Sequence, residues 1–324
     1  MEISPVATRA DLEAFHAVES ASRAHDHVGL PADPLEEWLP LLDQPEVAGE
    51  RVQLYVGRVD GEPVGSASLR MPLLDNQQVV SCALMVHPRH RRRGHGRGLV
   101  DHVLTETRRL GRSRLFVQVA ALQDAPPLGL ALLEKLGARP VIEDVRRVLD
   151  LHDHTPRGRC PVPDGYRVVQ WLGQAPEELV DGCAYLMGRM TVDAPMGDMD
   201  YAPEKWDAVR YRARERAVRD RQRLLVSSAA VHESGQVVGM TDIGISLAEP
   251  EVGQQWYTVV DRDHRGHGLG LVLKTWNHAQ LGEAAPRCRY LNTWNASSNS
   301  FMVRVNDALG YRPVETWTEW QLDL

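Results

Sequence analysis

The fold is decided by two short stretches, "RHRRRGHGRG" at Arg89–Gly98 and "RGHGLG" at Arg265–Gly270. An acidic chain of 324 residues with a formal net charge of −7 writes nearly the same Arg/Gly/His phrase twice, half its length apart. The flanks recur with the phrase. "SCALMVHPRH" ends an apolar, strand-like run at Val86 before the first, and "QQWYTVVDRDH" ends one at Val260 before the second. Helical periodicity follows each, with Leu99, Val103, Leu104 and Leu110 on one face in the first copy and Leu271, Val272, Thr275, Trp276 and Leu281 in the second. A β-like stretch then leads into a second helix that stops on Leu-Gly, at Gly137 and at Gly310, the pattern of a glycine C-cap. The copies begin alike as well: a short strand, a turn, an amphipathic helix and a hairpin signal ("GEPVGSASL", "SGQVVGMTDI"). Order and spacing recurring together indicate duplication of a whole domain. The expected boundaries are 1–150 and 165–324, with a Pro/Gly/His-rich linker at 151–164.

A strand feeding a Gly-rich loop feeding a helix is built for anions. Glycine permits positive φ, the first N–H groups of the helix have no intrahelical partner, and the helix dipole favours negative charge there. Two common phosphate loops do not fit. No G-K-[ST] step is present, and the phrase lies deep in each half rather than after its first strand. The basic run is local, because the net charge argues against broad nucleic-acid or membrane attraction. Four cysteines without a C-x-x-C favour reduced thiols and a cytoplasmic protein, and no run is long and apolar enough for a membrane span. His152 and His154 have no third ligand nearby in sequence, so no metal is expected.

The pattern [Q/R]-x-x-G-x-[G/A] resembles the acetyl-CoA loop of the GCN5-related N-acetyltransferase (GNAT) superfamily. It reads Arg91-x-x-Gly94-x-Gly96 after Val86-x-Pro88, and Arg265-x-x-Gly268-x-Gly270 after Val260. The second copy also resembles the superfamily in Asn299 and Leu309-Gly310-Tyr311. The first keeps Leu136-Gly137 and has Pro126 at the Asn position. The layout is similar to the two-domain, mycothiol synthase type. The resemblance implies a mixed-sheet α/β fold in two tandem acyl-CoA acyltransferase domains, with acetyl-CoA as donor. Residues 86, 91–96, 260, 265–270 and 299 would hold it: Val86, Arg91, Arg92, Arg93, Gly94, His95 and Gly96 in the first copy, and Val260, Arg265, Gly266, His267, Gly268, Leu269, Gly270 and Asn299 in the second.

The implied reaction moves acetyl to a primary amine of a small molecule by direct attack in a ternary complex, where holding both reactants together supplies much of the rate. The superfamily's general-acid tyrosine is missing from both copies, Leu133 and Asn306 standing in its place. Asn306 can at least donate a hydrogen bond, so the second copy is expected to be the catalytic one, with Glu251 or Tyr257 as base. Asp193, Asp198 and Asp200, in an acidic Pro/Gly/Met loop, are the expected contacts for a cationic acceptor. A CoA-binding or sensing protein without turnover, and an acetyltransferase acting on protein lysines or N-termini, remain open readings. So do a monomer, with its copies as a pseudo-dimer, and a homodimer.

Overall fold

The computed structural model describes residues 1–121, 127–152 and 158–324. It divides into two compact units that are not consecutive halves. The first comprises Met1–Asp144, Gly197–Tyr201 and Glu315–Leu324, and the second Val145–Met196 and Ala202–Val314. Each is a mixed sheet with helices on it, the α/β architecture that the repeat implies.

The first unit runs β1 (Glu2–Pro5), α1 (Arg9–Asp26), α2 (Leu35–Trp38), α3 (Pro40–Asp43), β2 (Glu46–Val47), β3 (Glu50–Val59), β4 (Glu62–Pro72), β5 (Val79–Val86), α4 (His95–Arg109), β6 (Arg114–Ala121), α5 (Leu130–Lys135) and the start of β7 (Arg139–Asp150). Thr8 and Asp11 form a capping box at the start of α1, satisfying amides that the helix itself leaves open. Asp60 and Gly61, both at positive φ, turn β3 into β4, the two-residue turn that suits the right-handed twist of a hairpin. The expected face of α4 is buried: Leu99, Val103 and Leu104 pack with Leu69, Val80, Leu115 and Val117.

The second unit repeats the order: β8 (Tyr166–Leu172), α6 (Val180–Asp193), α7 (Ala208–Asp220), β9 (Arg223–His232), β10 (Val237–Ser246), β11 (Val252–Val260), α8 (Leu269–Ala284), β12 (Tyr290–Ala296) and α9 (Ser300–Ala308). Helix α8 is buried more widely than its periodicity predicts. Leu273, Lys274 and Asn277 are buried, whereas the expected Leu271 and Trp276 are only partly covered. The arginine-rich helix α7 is mostly a charged outer face, but Arg214 is buried against Asp242 at 2.7 Å. In both copies the Leu-Gly stop is a Schellman cap. Ala138 and Tyr311 donate back to the carbonyls of Leu133 and Asn306, with Gly137 and Gly310 at positive φ.

The last strand, β13 (Arg312–Asp323), returns to the first unit. Its residues pair antiparallel with β6, from Thr316 opposite Ala121 to Asp323 opposite Arg114. The sheet of that unit is therefore ordered β1–β3–β4–β5–β6–β13.

Close helix-to-sheet packing in each copy needs one glycine. A Cβ on Gly65 of β4 would lie 2.9 Å from Leu99 Cδ1, and one on Gly239 of β10 would lie 3.0 Å from Leu273 Cδ1. Overpacking of this kind costs about 1–3 kcal/mol. Gly65→Val and Gly239→Val are each expected to lower the calorimetric melting temperature. An unchanged melting profile would show that the helices have room to shift.

Candidate functional site

Both Gly-rich loops form nests of backbone donors. Arg92 and Gly94 in the first copy, and Gly266 and Gly268 in the second, have left-handed φ. Gly94 and Gly268 are the N-caps of α4 and α8, without a side-chain cap, so the first-turn amides stay available for an anion. Arg92 holds its left-handed backbone without being glycine, a conformation costing roughly 1–2 kcal/mol.

The arginine of the motif straps the loop instead of presenting its charge. Arg91 Nε donates to the Val86 carbonyl at 3.0 Å, and its two terminal nitrogens hold the Asp26 carboxylate at 2.7 and 2.6 Å. Arg265 repeats this, donating to the Val260 carbonyl at 3.1 Å and to Asp193 at 3.1 Å. Asp26 and Asp193 are the last residues of α1 and α6. Burial raises the Asp26 pKa, and hydrogen bonds from Arg91 and His25 outweigh it, leaving the carboxyl below its ordinary value. Asp193 also takes Arg189 and Arg262, and its side chain is only 2% exposed, so it is consumed by the clamp. The other two expected acceptor contacts lie in the first unit. Asp198 donates through its backbone to the Val141 carbonyl, and Asp200 is held by Arg114 and Gln321. Asp193 thus belongs to the second unit, and Asp198 and Asp200 to the first.

In the first unit the loop opens onto a cavity. Strands β5 and β6 run parallel and pair from Val79–Arg114 to Cys82–Val117. The pairing stops there although both strands continue. In the gap lies a cavity of about 920 Å³ lined by Ala83–Val86, Gln118–Ala120, Arg91, Arg92 and Gly94–Arg97. That volume is at the upper end of ordinary ligand pockets, roughly 300–1,000 Å³. Val100 and Leu133 close it on the helical side, and His27, Trp317 and Glu319 line it as well. Burial pushes the Glu319 carboxyl up to about 7, with Asp144 adding to the shift and a hydrogen bond from Gln118 opposing it.

In the second unit β11 and β12 also pair and then part, from Val252–Tyr290 to Gln254–Asn292. Polar side chains meet beyond that point. Counted from Gly94 and Gly268, Lys274 stands where the first copy has Val100. It is buried and donates to Asn306 Oδ1 at 2.6 Å, and Asn306 Nδ2 donates to Asn295 Oδ1 at 2.5 Å. Nearby, His278 Nε2 and Tyr311 Oη share a hydrogen bond at 3.2 Å. Asn306 is thus wholly buried and occupied. Glu251 is exposed, paired with Arg287, and lowered in pKa by a hydrogen bond from its own backbone and by that arginine. At roughly 3.3 Å per residue, the nine-residue β11 sets it on the order of 25–30 Å from the loop. Tyr257 is half-buried, its ring 5.1 Å from the Arg214 guanidinium. Asn299 caps α9, accepting from the Met302 amide at 3.2 Å. Asn306, Glu251 and Tyr257 are not assembled around one point. Pro126 and His154 lie outside the described residues, and His152 donates through its backbone to Asp150.

Glu319, Trp317, Asp26 and Lys274 carry this geometry without having been expected from the sequence. An alternation was available for the first two, since Glu315, Trp317 and Glu319 share one face of a strand. Nothing in the sequence said which unit that strand would join.

Residues 16–137 match the Acetyltransferase (GNAT) family. A mycothiol acetyltransferase of Saccharomonospora viridis is 28% identical over 246 residues, 72% of this chain and 71% of that protein. Among solved structures, a tandem GNAT protein from the clavulanic acid biosynthesis pathway superposes with a TM-score of 0.84 at 26% identity, covering 99% of this chain and 98% of that one. A GCN5-related N-acetyltransferase from Sphaerobacter thermophilus shares the fold, with a TM-score of 0.68 at 21% identity over 99% and 95% of the two chains.

Desolvation drives the buried Lys274 amine down to about 7. Between that value and the unfolded value near 10.4, the unfolded chain binds the proton and the folded one does not. Stability from this site therefore falls as pH drops from about 10 to 7. Lys274→Met is expected to raise the melting temperature more at pH 7 than at pH 9.5. An equal shift at both pH values would mean that the amine is charged in the folded protein.

Proposed function

We propose that the chain is a tandem acetyltransferase of the GNAT family, which residues 16–137 match, and that it moves acetyl from acetyl-CoA to a primary amine of a small molecule, with turnover in the first unit. The observation that carries this reading is the cavity between β5 and β6. It joins the anion-binding loop to titratable side chains in one continuous space. Sequence features favour the second copy, through Asn306 as a hydrogen-bond donor where the first copy has Leu133, and through Asn299 and Leu309-Gly310-Tyr311. The cap made by Asn299 and the burial of Asn306 beneath Lys274 give those residues structural duties instead.

The left-handed residues at Arg92 and Gly94 turn successive amides toward one point, and a Cβ on Gly96 would meet only Val86 Cγ2, at 3.7 Å. The exposed Arg92, Arg93 and Arg97 add positive charge around the nest. The parted edges of β5 and β6 leave backbone groups for an extended amide-bearing arm, as a missing strand would. When bound, acetyl-CoA supplies a thioester carbonyl, an acyl group already activated toward an amine. The protein's part is to hold both reactants in the gap, which can account for several kcal/mol of barrier lowering.

A small-molecule acceptor is supported by the similar proteins, one a mycothiol acetyltransferase and one from the clavulanic acid biosynthesis pathway. The second loop has the same left-handed nest, which supports a further reading: a second CoA site without turnover.

Calorimetric titration with acetyl-CoA, together with thiol-release assays over a panel of small amines, tests this. Gly96→Trp places an indole over the first nest without backbone strain, and Gly270→Trp does so at the second. The expected result is loss of turnover and at least a tenfold loss of first-site affinity for Gly96→Trp alone. Turnover lost only in Gly270→Trp would move the chemistry to the second unit. A wild-type protein that binds no acetyl-CoA would remove the basis of the reading.

A further inference from the structure

Resting on the proposed first-unit chemistry, we infer that the chain's last strand builds the acceptor subsite, Glu319 receiving a proton from a protonated primary amine and Trp317 seating the amine's carbon skeleton.

Alternation along β13 sets the geometry. Glu315, Trp317 and Glu319 follow one another at every second position of β13 and so share a face. Trp317 and Glu319 both line the cavity that holds the nest at its other end. The cavity takes residues of both parities from β5 and β6, so it passes through the gap from one sheet face to the other. Cys82, Val117 and Val119 belong to the core on the α4 side. Gln118 is directly opposite Glu319 across the β6–β13 ladder, which puts Glu319 on the other side of the sheet. A donor entering over α4 and an acceptor entering on the Glu319 side would meet in the gap.

Trp317 is fixed from behind. Its ring stacks on His27 with centroids 5.1 Å apart and planes at 17°. Its indole N–H donates to Glu315 at 3.1 Å, and the same carboxylate pairs with His27 Nδ1 at 3.1 Å. A rigid aromatic wall two residues from a carboxylate suits a cation with an apolar or flat body, through cation–π attraction and area burial. The expected acceptor class is therefore a small primary ammonium compound with such a body.

The groups around Glu319 set its titration. Gln118 on β6 hydrogen-bonds to it, Asp144 on β7 raises it, and Cys82 on β5 lies within its field. Arg23, His27 and Arg70 line the same cavity. Burial and Asp144 prevail, holding the carboxyl near 7, where a carboxylate is basic enough to accept a proton and is still mostly ionised above neutrality. The ammonium N–H bond breaks and its proton goes to Glu319. The freed nitrogen pair forms the C–N bond to the acyl carbon while the C–S bond breaks, its electrons leaving on sulfur. The second nitrogen proton passes to that thiolate, and Glu319 returns its own to solvent. The sum is ammonium plus thioester giving amide, thiol and one proton.

The test uses the full chain, acetyl-CoA, and a panel of primary amines that includes tyramine and methylamine. Wild type is expected to acetylate tyramine over methylamine, with kcat/KM falling below about pH 7. Glu319→Gln should bind acetyl-CoA within about threefold of wild type, lose about a hundredfold in kcat/KM, and lose that acidic limb. Trp317→Leu should raise the KM for tyramine about tenfold and leave kcat and acetyl-CoA binding near wild type. If Glu319→Gln does not fold, the Trp317→Leu split between KM and kcat decides the matter. Retention of the acidic limb in Glu319→Gln, with its loss in His27→Gln, would assign the proton to the His27–Glu315 pair and overturn the proposal. Acetyl-CoA binding without turnover on any amine would overturn it too, while leaving the CoA site standing. Failure of wild type to bind acetyl-CoA would instead overturn the reading beneath it.

Discussion

The pairing of one arginine with one aspartate, made once in each copy, is what the loops depend on. A nest with two left-handed residues is intrinsically loose, and in the first copy one of them is Arg92, which pays for that backbone without glycine's freedom. Arg91 offsets this by tying three elements together: the end of β5 through the Val86 carbonyl, the end of α1 through Asp26, and the loop that carries it. Arg265 does the same with Val260 and Asp193. In the first copy the pair is bidentate, which suits this task better than a lysine would, because the planar fork fixes an orientation as well as a distance. The motif's most visible charge is thus spent on position. The anion is left to backbone amides and to the looser arginines beside them.

The two copies have diverged where the parallel strands part. Around the first gap stand Val100 and Leu133, and the space is a cavity. At the matching places of the second stand Lys274 and Asn306, hydrogen-bonded to each other and to Asn295. Removing a lysine from water is costly, and one amide oxygen is modest compensation. Neutralising the amine lowers that cost, which is the direction in which its pKa moves. The same desolvation, with Lys274 adding to it, holds His278 down to about 3. Duplication gave two similar frames. At the helix–strand seam one gap is lined by apolar side chains, and the matching positions of the other carry a hydrogen-bonded polar network.

The repeat, the loops, the capped helices and the Leu-Gly stops were legible because each depends on local rules. Glycine at positive φ, apolar spacing and turn chemistry all leave marks within a few residues. The roles of the charged residues were not legible in that way. Asp193, Asp198 and Asp200 read as one acidic loop, yet the fold sends Asp193 to an arginine clamp in the second unit and the other two to Arg139 and Arg114 in the first. Asn299 matched a family pattern and Asn306 stood where the family has its tyrosine, but one caps a helix and the other is buried under Lys274. Glu319 carried no local signal of function. Its importance comes from a strand pairing with residues some two hundred positions earlier.

That pairing also constrains how the first unit can form. Until β13 arrives, the edge of β6 away from β5 presents open backbone groups, a hazard that natural sheets manage by covering or pairing. Here the cover is β13, so residues 1–144 alone lack both the strand beside β6 and one wall of the cavity. Long-range pairing of this kind is entropically late, because the loop it closes must be ordered before the contact repays it. A cavity completed by β13 stays incomplete until the second copy has been made, because that strand follows it in the sequence. The arrangement therefore couples completion of the first unit's cavity to synthesis of the second copy, and it gives a reason for the two copies to remain in one polypeptide.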